Sequence, residues 1–159
     1  MPVADSALAS PGPLVLVVDD DPAQRLAVSR MVRGLGYPTR SCRRGSEALQ
    51  LIRSSVSPVR VLVADLGMPG MDGGELVERA VDFDRRIRAV LMTDPDDPLS
   101  TELLAGYRDL PLLPKPVRIA DLHAALLALV GPAVQTSTPP SVTAPSSRAR
   151  RRSSEHHES

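Results

Sequence analysis

Five short apolar runs alternating with five amphipathic stretches limit what this chain can fold into more than any other feature. Leu14 to Val18 and Val59 to Ala64 are nearly continuous in Val, Leu and Ala and are bounded by turn residues. That is the pattern of strands covered on both faces. Asp21-Pro22 predicts an N-cap and a first-turn proline. The helix it opens carries Val28, Val32 and Leu35 at spacings of four and three, and Gly36 stops it. Pro38 to Cys42 reads as a weaker strand, assigned to an edge by its proline. Ser46 is expected to cap a second helix through Ala48, Leu49, Leu51 and Ile52, ending at Ser57-Pro58.

The third strand runs into Asp65, and Asp72 is placed to cap a third helix with Leu76, Val77 and Ala80 on one face. Ile87 to Met92 forms a fourth strand with Thr93 at its end, and Asp97-Pro98 opens a short fourth helix around Leu103 and Leu104. Leu110 to Leu113 supplies a fifth strand, and Leu122, Leu126 and Leu129 mark a fifth helix. Such alternation predicts an α/β fold with a parallel sheet and right-handed crossovers. The regular region is expected over 14–130, between a disordered segment at 1–13 and a disordered Pro/Ser/Thr-rich tail at 131–159. No second folded domain is expected.

Zero net charge gives no electrostatic reason to expect nucleic acid or a membrane as partner. The tail cluster Arg148-Ala149-Arg150-Arg151-Arg152 is read as a solvated segment. The one cysteine, Cys42, excludes an internal disulfide and fits a reducing cytosol. No apolar run approaches the roughly 20 residues that span a bilayer, and Met1 to Pro13 lacks the order of a secretory signal. A cytoplasmic protein is the expectation. Arginine supplies every basic residue except Lys115, which stands between Pro114 and Pro116 just after a strand. A compact ammonium suits a crowded anionic site better than a broad guanidinium.

Three strand ends carry matched chemistry. Asp19-Asp20-Asp21 follows the first strand, Asp65 closes the third ahead of Leu66-Gly67-Met68-Pro69-Gly70-Met71-Asp72-Gly73, and Lys115 follows the fifth. In a doubly wound sheet of order 2-1-3-4-5, the crevice between the first and third strands collects Asp19, Asp20 and Asp65. Thr93 and Lys115 close the same rim. Three close carboxylates repel unless a cation joins them, and Mg²⁺ best fits an all-oxygen site. The Gly67 carbonyl is well placed as a further ligand. An aspartyl phosphate on Asp65 is chemically consistent with this set, with Thr93 and Lys115 contacting the phosphoryl oxygens.

Val17-Val18-Asp19-Asp20, Asp65 with Met68-Pro69-Gly70-Met71-Asp72-Gly73, Thr93, and Lys115-Pro116 together resemble bacterial two-component response-regulator receiver domains. The resemblance covers nearly all of 14–130. It implies a flavodoxin-like fold, Mg²⁺ dependence, and phosphotransfer from a histidine kinase or phosphotransfer protein onto Asp65. It also implies that Asp20, Asp65 and the Gly67 carbonyl hold the metal, with Asp19 acting mainly through water, and that the bond before Pro116 is cis. The chain resembles stand-alone receivers and those attached to hybrid kinases.

Three positions depart from that pattern. Asp94 replaces the usual small residue after the threonine, Leu112 the usual switch aromatic, and Val117 the phenylalanine common after Lys-Pro. The expected function is a phosphorylation-controlled interaction module rather than a turnover enzyme. A receiver that only scaffolds is one alternative, weighted by Asp94 and Leu112. A phosphatase of the haloacid-dehalogenase-like kind is another; its nucleophile would be Asp19, but the chain has no insertion long enough for the usual cap.

Overall fold

The structure, a computed structural model, describes residues 12–54, 58–107 and 109–133. In chain order the strands are β1 (Leu14–Val18), β2 (Thr39–Cys42), β3 (Val59–Asp65), β4 (Arg88–Thr93) and β5 (Leu112–Pro114). The helices are α1 (Pro22–Gly34), α2 (Gly45–Ser54), α3 (Gly73–Phe83), α4 (Pro98–Leu104) and α5 (Ile119–Val130), with a 3₁₀ turn at Ala105–Tyr107 after α4. All four strand pairings are parallel, in the order β2-β1-β3-β4-β5. This is the flavodoxin-like arrangement, with five helices on the two faces of five strands.

Side-chain alternation divides the core into two layers. Leu14, Leu16 and Val18 of β1 join Leu62 and Ala64 of β3 against Ala48, Leu49 and Ile52 of α2 and Leu76, Val77 and Ala80 of α3. Val15 and Val17, with Val61, Val63, Val90 and Met92, face Val28 and Val32 of α1 and Leu122 and Leu126 of α5. The central strands are therefore apolar at successive positions, while β2 at the edge is exposed at Arg40 and Ser41. A period-two strand buried on both faces has no polar side to display.

The caps follow local chemistry. Asp21 accepts the N–H groups of Ala23 and Gln24, Asp72 accepts that of Glu75, and Asp97 accepts that of Leu99. Gly36 ends the α1 turn with φ of +98°, a conformation costly for any residue with a Cβ. The expected cap at Ser46 is corrected: α2 begins at Gly45, so Ser46 lies inside the first turn. There the Glu47 carboxylate accepts the Arg43 N–H at 3.2 Å, which closes the turn instead. β4 is displaced by one residue and β5 begins two residues later than expected, because Leu110 is held in a turn by its N–H to the Tyr107 carbonyl.

Packing continues past α5, where Ala133 is buried against the second layer. Tyr37, 2 % exposed, donates its hydroxyl to the Gly131 carbonyl at 2.8 Å and ties this segment to the α1–β2 turn. The Arg148–Arg152 cluster lies outside the described residues. Among those described, no helix is long and apolar enough to cross a membrane.

Tyr37→Phe keeps the ring and removes that hydrogen bond, so we expect a loss of about 1 kcal/mol in urea unfolding. An unchanged midpoint would show that the Tyr37–Gly131 link contributes nothing to stability.

Candidate functional site

Parallel register assembles the site before side-chain chemistry enters. Val17 pairs with Val63 and Val18 with Ala64, so one step further along the same ladder Asp19 stands beside Asp65. Both continue the side-chain parity of the α1–α5 layer. The chain breaks immediately after each, so the two carboxyls emerge at the carboxyl edge of the sheet, at the switch point between β1 and β3. Asp19 is fully buried and Asp65 is 6 % exposed. Asp20 is exposed, yet carboxylate oxygens of Asp19, Asp20 and Asp65 lie within 4.8 Å of one another.

Lys115 reaches this cluster from the far side of the sheet. Its N–H donates to the Thr93 carbonyl at 2.7 Å, extending the β4–β5 ladder by one residue. The Lys115–Pro116 peptide bond is cis. The ammonium stands 3.0 Å from Asp65 Oδ1 and 3.2 Å from Asp19 Oδ2. The second distance is an ion pair without hydrogen-bond alignment, since Asp19 Oδ2 is buried with no hydrogen-bond partner. Asp19 Oδ1 accepts the Asp21 N–H at 2.9 Å. The Gly67 N–H donates to Asp65 Oδ1 at 3.3 Å. Asp65 Oδ2 has no protein partner among the described residues.

Burial raises the Asp65 carboxyl from its ordinary 3.8 to about 6; Lys115 opposes the shift and Asp19 adds to it. Burial alone would lower the Lys115 ammonium, but Asp65 and Asp19 outweigh it and its pKa is raised. When ionised, three carboxylates facing one ammonium leave two negative charges unbalanced. A divalent cation with oxygen ligands fits this donor set of three close carboxylates.

Asp19, Asp20, Asp65 and Lys115 thus converge as the sequence predicted. Thr93 is on the same edge through its backbone link to Lys115, and Gly67 through its N–H. Asp94 is held in its own loop, its Oδ1 accepting the Asp96 N–H at 2.9 Å. Leu112 packs against the α2–α3 layer and Val117 is buried in the other. Tyr107 also packs on the α2–α3 layer, its ring lying over Gly74 of α3.

Sequence reasoning missed three neighbours. Arg25 donates Nη1 to the Asp19 carbonyl at 2.8 Å. Its place in the first turns of α1, six residues after Asp19, was the available signal. The Asp97 carboxylate and Ser100 hydroxyl fill the space beside Gly67. A Cβ there would come within 2.5 Å of Asp97 Oδ2 and 2.9 Å of Ser100 Oγ. No local pattern reveals that, because it joins the β3–α3 turn to the start of α4.

Comparison with known proteins agrees with this geometry. The family model described as Response regulator receiver domain matches residues 15–127. The two-component response regulator ARR2 of Arabidopsis thaliana is 36 % identical over 110 residues, covering 68 % of this chain and 16 % of that protein. Sporulation initiation phosphotransferase F of Bacillus subtilis is 34 % identical over 79 residues, covering 50 % of this chain and 62 % of that protein. The chain therefore spans only about a sixth of ARR2. A signal receiver domain of an HD domain-containing protein from Pseudomonas fluorescens superposes with a TM-score of 0.63 at 26 % identity, covering 74 % of this chain and 94 % of that one.

The raised Asp65 carboxyl has a thermodynamic consequence. It holds its proton more tightly folded than unfolded, so stability falls as pH rises from about 4 through about 6. In metal-free protein at pH 7, Asp65→Asn should raise stability by about 1–3 kcal/mol, less whatever Lys115 loses with its partner. The gain should vanish near pH 4. Urea unfolding at both pH values checks it, and an Asn variant no more stable relative to wild type at pH 7 than at pH 4 would contradict the burial argument.

Proposed function

The chain belongs to the response regulator receiver domain family, and on that premise we propose that it receives a phosphoryl group on Asp65 from a histidine kinase or phosphotransfer protein. The observation that carries this reading is the Lys115 ammonium bridging Asp65 and Asp19 at the carboxyl edge of the sheet. With a pKa near 6, Asp65 is mostly ionised at neutral pH and can act as nucleophile. Lys115 and the Gly67 N–H occupy Oδ1, which leaves Oδ2 to attack phosphorus. The phosphorus–nitrogen bond of the donor phosphohistidine breaks, its electron pair returns to the imidazole, and a solvent proton neutralises that nitrogen. The product is an acyl phosphate on Asp65. Thr93 is proposed to donate its hydroxyl to one phosphoryl oxygen and Lys115 its ammonium to another.

The residues for Mg²⁺ are Asp20, Asp65 and the Gly67 carbonyl, with Asp19 acting through water. Bound there, Mg²⁺ supplies positive charge that offsets repulsion between carboxylate and phosphoryl oxygens. A cleft of about 370 Å³ between α1 and Lys115–Val117 opens beside the ammonium and offers the donor protein an approach.

Residues 14–130 would form the signalling unit in the cytoplasm, with phosphorylation changing its affinity for another protein. Leu112 has no ring to reorient when Thr93 engages a phosphoryl group, so the response of the α4–β5–α5 face should be muted. Amide spectra with and without a phosphoryl mimic measure it, and a large concerted shift over Leu99, Leu112 and Ile119 would contradict that expectation.

With Mg²⁺ and a small phosphodonor, the intact protein should gain the mass of one phosphoryl group, mapped to Asp65 and lost in Asp65→Asn. Label that persists in Asp65→Asn would sink the assignment. Failure of the wild type to label or to bind Mg²⁺ would instead leave a scaffolding receiver. Multiple turnover lost in Asp19→Asn but kept in Asp65→Asn would mark a phosphatase.

A further inference from the structure

On the opposite flank of α1 from the Lys115 cleft, a separate hollow of about 330 Å³ lies between the helix and the edge strand β2. Pro22, Arg25, Leu26, Ser29, Arg33 and Ser41 line it, with no carboxylate among them. Arg25, Ser29 and Arg33 recur every four residues and so form one stripe along the helix. At the helical rise, the two arginine Cα atoms are about 12 Å apart with Ser29 midway. Ser41 faces them from β2, where it pairs with Val17 and shares that residue's side of the sheet.

Two features of this hollow favour an anionic ligand. Ser29 is 2 % exposed, and its Oγ has no hydrogen-bond partner among the described residues. A buried hydroxyl left unsatisfied is costly, and each such group in a folded protein calls for an explanation. In addition, neither Arg25 nor Arg33 forms an ion pair with a carboxylate among the described residues, so both guanidiniums keep donors for a ligand. The nearest acid in sequence, Asp21, uses its Oδ1 on the N–H groups of Ala23 and Gln24. Arg25 is itself held in place by Nη1 on the Asp19 carbonyl, and its guanidinium has further N–H donors to offer.

We propose that this hollow is a binding site for a phosphate-class oxyanion, a free phosphate or a phosphomonoester, with Arg25 and Arg33 approaching from either side and Ser29 and Ser41 donating hydroxyls. Every polar side chain lining it can donate, and a tetrahedral oxyanion accepts from several directions at once. Guanidinium forks match phosphate oxygens better than any neutral ligand does. Leu26 and Pro22 leave an apolar wall for the ester substituent. The site is distinct from the Asp65 cluster and does not depend on phosphotransfer there.

The test is a titration of the full chain with inorganic phosphate and, separately, with phenyl phosphate at constant ionic strength set with chloride, read by amide chemical shifts. Saturable shifts over Arg25–Arg33 and Ser41 are expected in wild type and, unchanged, in Asp65→Asn. Arg33→Gln should weaken binding about ten-fold or more, and Ser29→Ala should weaken it without lowering the urea midpoint. Tighter binding of phenyl phosphate would assign the site to phosphomonoesters, and equal binding to the free ion. Shifts that fail to saturate, that chloride reproduces, or that vanish in Asp65→Asn would overturn the proposal, as would a destabilised Ser29→Ala. Failure of Asp65 labelling leaves it untouched.

Discussion

The parallel register between β1 and β3 is the constraint on which the rest of this molecule depends. Pairing Val17 with Val63 and Val18 with Ala64 brings Asp19 and Asp65 side by side where both strands end. A slip of one residue would turn one carboxyl into the opposite layer, among Leu66, Met68 and Leu76. The register is itself held by the apolar side chains. Because β1 and β3 are buried on both faces, each shift would mismatch two packed layers at once. Core packing therefore sets the placement of the charged groups.

Those charges oppose the fold that positions them. Two carboxyls at the sheet edge are almost out of contact with water, and burial lifts Asp65 to about 6. Lys115 compensates in part, with its ammonium 3.0 Å from Asp65 and 3.2 Å from Asp19. Its approach depends on the β4–β5 ladder, which the Lys115 N–H extends onto the Thr93 carbonyl. What remains is a pocket with excess negative charge and, among the described residues, one Asp65 carboxylate oxygen without a protein partner. That imbalance is what makes the site receptive to a cation and to an incoming electrophile.

Loops set the character of this family member. Asp94, which stands where the family has a small residue, accepts the Asp96 N–H within its own loop and also lines the cleft beside Lys115. The Asp97 carboxylate and the Ser100 hydroxyl fill the space that a side chain at position 67 would take. The β3–α3 turn and the start of α4 are thereby packed together directly. On the other side, Arg25 reaches back from α1 to the Asp19 carbonyl and couples that helix to the acidic cluster.

The chain's alternation of apolar runs, its capping aspartates and its ordered motifs were enough to predict the sheet order, the helices and the convergence of Asp19, Asp20, Asp65 and Lys115. The helices and strand ends are encoded locally, by period, by a cap, or by a residue at a strand end, whereas the sheet order follows from the fold that the receiver resemblance implies. Where the local signal was ambiguous, the reading slipped: at Ser46, where Glu47 closes the turn instead, and at Leu110, which the Tyr107 carbonyl holds outside β5. The contacts of Asp97 with Gly67, of Tyr37 with Gly131 and of Arg25 with Asp19, and the unpartnered hydroxyl of Ser29, were decided only by tertiary structure. They join segments whose separation in the chain carries no periodic signal, so only the packed geometry determines which of them meet.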